Sequence, residues 1–238
     1  MNLMSRTTAI ALLALGTTTA QAHQVWLEHS DGQTRLHFGE FHENLRETSP
    51  GSLDKFVDVP TLELRSGNTV QHVKGQRAKD AFAYQTAGQP TTLAAQAPYP
   101  LIDRSKRNLP AMLWVPAARW VADAGQAVEP RANALDLVPT GKPGEFKAVF
   151  NGAPLAKVAV EMFAPSGWSR IQHSRDDGTV TFTLPWKGQY VAEVKHSDKT
   201  AGEAQGKPYG EASYVSTLSF VHGGGMASPT LPEPSKGH

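Results

Sequence analysis

The sequence predicts an all-β protein made of two antiparallel β-sandwich domains. Three observations predict it. Short runs alternate polar and apolar residues, the period of a strand with one buried face. Turn signals such as Ser66-Gly67-Asn68 and Asn151-Gly152 separate those runs at close spacing. A stretch dense in proline and glycine, Pro139-Thr140-Gly141-Lys142-Pro143-Gly144, divides the chain in two.

The elements follow in order. Residues 1–22 read as an export signal: Arg6 supplies the positive end, an Ala/Leu run supplies the apolar core, and Ala20-Gln21-Ala22 has the small-x-small form of a cleavage site. The apolar core is too short to span a bilayer, and no later run approaches the roughly 20 residues a membrane helix needs. Residues 24–28 and 34–38 alternate around Ser30-Asp31-Gly32 and predict a hairpin. Residues 42–54 are polar and broken by Ser49-Pro50-Gly51, a loop with room for one helical turn. A second hairpin is expected at 61–65 and 70–73, then strands near 82–84 and 91–93. Arg104-Ser105-Lys106-Arg107 reads as a solvated basic loop, and Trp114 and Trp120 read as packing residues. Residues 134–138 form a last strand of the first domain, placed at 23–140.

Beyond the Pro/Gly stretch the strand signals sharpen. Residues 146–150, 158–163, 179–184, 190–194 and 214–221 alternate between turns. About seven strands in so short a span is the pattern of a sandwich, so the second domain is placed at 141–222. Residues 223–238, rich in Gly, Pro and Ser and without apolar period, are expected to be disordered. Gly223-Gly224-Gly225 is no phosphate loop, because the proline-rich sequence after it starts no helix.

Composition narrows the function. Lys and Arg number 23 against 22 Asp and Glu, and loss of Arg6 with the signal brings the two into balance. A neutral chain is poorly suited to nucleic acid or an anionic membrane surface. There is no cysteine, which excludes thiolate metal sites and thiol nucleophiles and leaves the cores to hold without disulfides. No Gly-x-Ser-x-Gly elbow, no His-Glu-x-x-His helix and no acidic calcium loop appears.

The mature start AHQVWLE, the LDLVP strand and the two segments FKAVFNGAPLAKVAVEMFAPSGW and DDGTVTFTLPWKGQYVAEVKH together resemble a bacterial periplasmic family related to the soluble substrate-binding region of cobalt/nickel uptake components. The second half also looks like a transthyretin-type, Ig-like sandwich. The resemblance implies two β-sandwich domains and a role in handling divalent metal. Some members continue into membrane helices, whereas this chain runs into a polar tail, so a freestanding periplasmic binding protein is the closer match. A membrane transporter component is the implied partner.

The residues themselves point the same way. Cleavage after Ala22 would make His23 the first residue, with its α-amine and imidazole Nδ1 able to chelate one ion. The amine has a reference pKa of about 7.7–8.0 and yields its proton to a metal at small cost near neutral pH. A second imidazole would complete a three-nitrogen brace, a donor set that favours copper over nickel and cobalt. His196, at the end of a strand, is the first candidate for that second ligand. His42, between Glu40 and Glu43 in a cluster that mixes carboxylate and imidazole donors suited to nickel, cobalt or zinc, is the other. Glu40 and Glu43 read as solvated loop carboxylates. His29, His37, His72 and His173 sit in or beside polar strand positions, and His222 and His238 flank the tail. The expected function is a non-enzymatic periplasmic binding protein for a copper, nickel or cobalt ion or its complex, serving uptake or trafficking. The alternatives are a cell-envelope protein-interaction module without metal and a copper oxidoreductase built on the brace.

Overall fold

The computed structural model describes residues 23–132 and 134–234. Residues 1–22, read above as an export signal, and His238 lie outside those residues. The described chain is all-β, as expected, with three short 3-10 turns at Phe41–Glu43, Ser52–Lys55 and Ser105–Arg107. Among the described residues no helix is long and apolar enough to cross a membrane.

The strands form three layers. In the first outer sheet, Gln24–Ser30 pairs antiparallel with Gln33–Glu40. Asp31 and Gly32 both take left-handed backbone (φ 50° and 73°), the two-residue turn whose twist suits a hairpin. Gln33–Glu40 then pairs with Phe82–Gln85 and with the short Leu45–Arg46. The central sheet runs in the order Ser169–His173, Ala159–Phe163, Trp186–Asp198, Glu211–His222, Met112–Val121, Thr92–Gln96, Leu62–Ser66, Thr69–Val73. The second outer sheet holds Leu135–Pro139, Glu145–Phe150, Ala153–Pro154 and Thr179–Thr181.

The central sheet serves both halves of the chain. Glu211–His222 pairs in parallel with Met112–Val121, so strands from before and after the Pro/Gly stretch lie side by side. Alternate residues then face opposite outer sheets. Ala118 and Trp120 pack into one core with Val25, Leu27, Leu36 and Phe38. Thr217, which pairs with Ala118, donates its hydroxyl to the Val25 carbonyl at 2.6 Å. Val121, Leu218 and Phe220 pack into the other core with Leu135, Leu137, Phe146 and Ala148. A fully buried large apolar side chain contributes about 1.5–3 kcal/mol relative to exposure, so two cores of this composition account for a chain that holds without disulfides.

One polar link crosses the second interface. Arg119 on the central sheet grips Asp136 on the outer sheet through Nε–Oδ1 at 3.1 Å and Nη2–Oδ2 at 2.5 Å. Both residues are buried. The Arg131 amide adds a further bond to Asp136 at 2.8 Å.

Three expectations change. The Pro/Gly stretch at 139–144 is a hairpin connection, not a linker between units: Leu135–Pro139 pairs directly with Glu145–Phe150. Leu135–Pro139 therefore belongs with the second core, and the expected division at 140/141 falls inside one sheet. Proline and glycine mark a chain reversal equally well in either setting. Residues 223–234 are also not free chain. Met226–Ala227 adds in parallel to Trp186–Lys187, and the Pro232 carbonyl accepts from Asn44 Nδ2 at 3.2 Å. Backbone pairing of this kind needs no apolar period, so composition gave no sign of it. Finally, the basic loop is partly anchored, since Arg104 forms an ion pair with Glu211 of the central sheet.

Candidate metal centre

The site forms where the first hairpin ends. His23 directly precedes the strand Gln24–Ser30, whose Gln24 pairs with Gly39. Glu40 ends the partner strand. The chain then makes the 3-10 turn Phe41–Glu43, reverses at Asn44 in left-handed backbone (φ 52°) and returns as Leu45–Arg46. The Glu47 amide closes the reversal on the Phe38 carbonyl at 2.8 Å. Gly39 is required here. Its φ is 145°, and a Cβ would lie 2.3 Å from the Leu45 carbonyl oxygen. The reversal gathers Glu40, His42, Glu43 and Glu47 within eight residues and delivers them beside His23.

His23 is 24% exposed and its ring packs against Phe38. Its Nε2 lies 2.6 Å from Glu47 Oε1, and its Nδ1 lies 3.7 Å from Glu40 Oε1. His42 Nε2 lies 3.9 Å from the other oxygen of Glu40 and 3.8 Å from Glu43 Oε1. The His42 ring stacks on Phe163 of the central sheet at 5.4 Å and 16°, which fixes its plane. One ligand atom from each of Glu40, His42 and Glu43 falls within a 4.8 Å span.

Glu40 is the unusual member. It is 2% exposed, and among the described residues neither carboxylate oxygen has a hydrogen-bond partner. His42 Nδ1 is likewise buried with no hydrogen-bond partner among the described residues. A buried polar group left unpaired costs about 1–3 kcal/mol, more if charged. The carboxylate faces an imidazole nitrogen on each side at 3.7 and 3.9 Å, too long for hydrogen bonds. Two ligands bound at 2.0–2.2 Å to one ion stand about 3–4 Å apart, the separation found here.

Glu193, on the central strand Trp186–Asp198, lies near His42. Burial raises its carboxyl above the usual range. The Lys195 ammonium at 2.7 Å and the His42 imidazole pull it down, while Glu161, its neighbour across the sheet, pushes it up. The environment of His42 is thus rich in carboxylate.

Of the three residues that sequence pointed to, the fold brings His23 to one carboxylate oxygen of Glu40 and His42 to the other. It does not bring His196 to them. Strand alternation turns His196 to the other face of the central sheet, where its ring packs on Phe150 at 4.4 Å. Residues of that face, Tyr190, Ala192 and Val194, build the second core. The remaining described histidines stay apart as well. His29 bonds Thr34 and packs on Trp120, and burial lowers its pKa. His37 is buried against the Asp80 carbonyl and Glu28. His72 and His173 are exposed on strands at the two edges of the central sheet.

Sequence reasoning passed over Glu47 and Glu193 and read Glu40 and Glu43 as solvated. A signal existed: three glutamates and a histidine crowd positions 40–47 at the end of an alternating strand. No family model matches the chain, and no curated protein matches it.

Proposed function

We propose that the protein is an exported periplasmic binding protein for a divalent first-row transition-metal ion, copper, nickel or cobalt, acting as a non-enzymatic accessory in uptake or trafficking. The observation that carries this reading is the buried carboxylate of Glu40, unpartnered and set between the imidazoles of His23 and His42. A cation beside Glu40 would satisfy its carboxylate together with His42 and Glu43, whose ligand atoms lie within 4.8 Å of one another, and His23 Nδ1 faces the other Glu40 oxygen.

The hydrogen bond to Glu47 supports the same reading. A carboxylate at Nε2 holds the proton there and leaves the Nδ1 lone pair facing Glu40. That is the arrangement by which outer carboxylates orient metal-binding histidines. Nδ1 is also the nitrogen that chelates together with the α-amine once the chain begins at His23. Imidazole, amine and carboxylate donors suit divalent first-row ions, with copper(II) bound most tightly.

The test is calorimetric titration of protein beginning at His23 with Cu(II) and Ni(II), near neutral pH and with a competing ligand. His23→Ala removes the imidazole and keeps the amine. One additional residue before His23 keeps the imidazole and displaces the amine. Each should weaken binding by at least about tenfold. Native affinity in both variants would remove His23 from the site.

A further inference from the structure

His23 and its partner Glu47 line a cleft of about 570 Å³. A bare ion with its hydration shell occupies a small part of such a volume, which falls in the range of small-molecule sites. The walls are aromatic. Phe38 comes from the first outer sheet, Trp114 from the central sheet, and Tyr99 from the segment between strands. Tyr99 meets Trp114 edge to face at 4.8 Å, and Trp114 lies 6.0 Å from Phe38. All three rings line the space.

Two lysines complete the lining. Lys195 is tied to Glu193 at 2.7 Å. Lys55 donates to the Ser52 hydroxyl at 3.3 Å, and among the described residues no carboxylate lies within ion-pair distance of it. A free divalent cation gains nothing from an ammonium group. An organic anion gains a charge-assisted hydrogen bond from it.

We infer that the ion enters as a chelate: the cleft takes a small, planar aromatic carboxylate that coordinates the ion at its inner end and presents a second carboxylate to Lys55. This rests on the proposed ion site. The flat ring packs against the wall that Trp114 and Tyr99 form together, and the ion meets His23 and Glu40. Apolar walls with a few placed polar groups give such a ligand both its affinity and its orientation.

The experiment uses protein beginning at His23 and three probes: Cu(II) alone, its 1:1 complex with pyridine-2-carboxylate, and its 1:1 complex with pyridine-2,5-dicarboxylate. The ring nitrogen and 2-carboxylate hold the ion in both complexes, and only the second complex carries a distal carboxylate. The dicarboxylate complex should bind at least about tenfold more tightly than the monocarboxylate complex. Lys55→Gln should abolish that difference and leave binding of Cu(II) alone unchanged. Trp114→Leu, which keeps an apolar side chain in the wall, should weaken both complexes by about tenfold while sparing Cu(II) alone. If Cu(II) binds but the chelators strip it, or Lys55→Gln and Trp114→Leu bind the complexes as the native protein does, the cleft assignment falls and the ion site stands. Binding of the dicarboxylate complex without binding of Cu(II) alone would keep the cleft and overturn a site built from side chains only. Binding of none of the three would overturn both.

Discussion

Glu47 Oε1 lies 2.6 Å from Nε2 of His23, and this contact decides which imidazole nitrogen faces the buried carboxylate of Glu40. Glu47 is itself 4% exposed, so its carboxylate is largely shielded from water, and the His23 ring is further held by its contact with Phe38. The orientation is built into the fold by the chain reversal that follows Glu40.

Replacing Glu47 should therefore act on the ion without removing a ligand. Glu47→Ala should weaken Cu(II) binding by about 10–100-fold, the usual effect of losing a partner behind a metal-binding histidine. Glu47→Gln, whose amide oxygen still accepts from Nε2–H, should keep most of the affinity. His42→Ala should weaken binding as well, whereas His196→Ala, on the opposite face of the sheet, should leave it unchanged. Equal affinity for Glu47→Ala and native protein in the same titration would show that Nδ1 is not the coordinating atom.

Glu28 predicts an acid-sensitive contribution to stability. Burial would raise its pKa, but the His37 imidazole at 3.4 Å, the Trp26 indole N–H and the Arg46 guanidinium outweigh burial and hold it at about 2, against 4.5 ordinarily. A group whose pKa is lower in the folded state stabilises that state above its unfolded pKa and loses the contribution as pH falls. The unfolding free energy of native protein minus that of Glu28→Gln should be level above pH 4.5 and shrink as pH falls toward 2. The total change should be on the order of 2–3 kcal/mol. A difference that does not vary with pH would contradict this account.

Asp136→Ala should be among the most damaging single changes away from the ion cluster. It leaves the Arg119 guanidinium buried without its two bonds and removes the acceptor of the Arg131 amide. Breaking a buried pair on one side costs about 3–5 kcal/mol. The double replacement Arg119→Met with Asp136→Leu removes both charges and should recover most of the loss. Urea unfolding of the two variants and native protein measures this. A loss below about 1 kcal/mol for Asp136→Ala would mean that the pair contributes no more than an exposed one.

A fragment of residues 145–222 should not fold alone. It lacks Leu135 and Leu137, which cover Phe146 and Ala148, and it lacks the strand Met112–Val121 that pairs with Glu211–His222. Residues 23–222 should keep a cooperative thermal transition, while the fragment should show none by circular dichroism. A sharp transition in the fragment would restore the independent second domain that the Pro/Gly stretch suggested.

The class of fold was legible because strand alternation and turn residues are local properties. The hairpin Gln24–Ser30 with Gln33–Glu40 follows from the polar-apolar period and from Asp31-Gly32 alone. His23 was singled out on a local property too, its place directly after a small-x-small motif. His42 was legible only as one of two options. Choosing between His42 and His196 required knowing which face of the central sheet each one meets, and a shift of one residue along a strand reverses that face. The unpartnered burial of Glu40, the hydrogen bond from Glu47 and the parallel pairing of Met112–Val121 with Glu211–His222 join residues far apart in the chain or depend on what covers them. By itself the sequence determined the strands, their turns and the chemical promise of His23. The packing of three sheets decided which histidine stands across from it and which carboxylates lie between, because burial and long-range register come from the whole chain closing on itself.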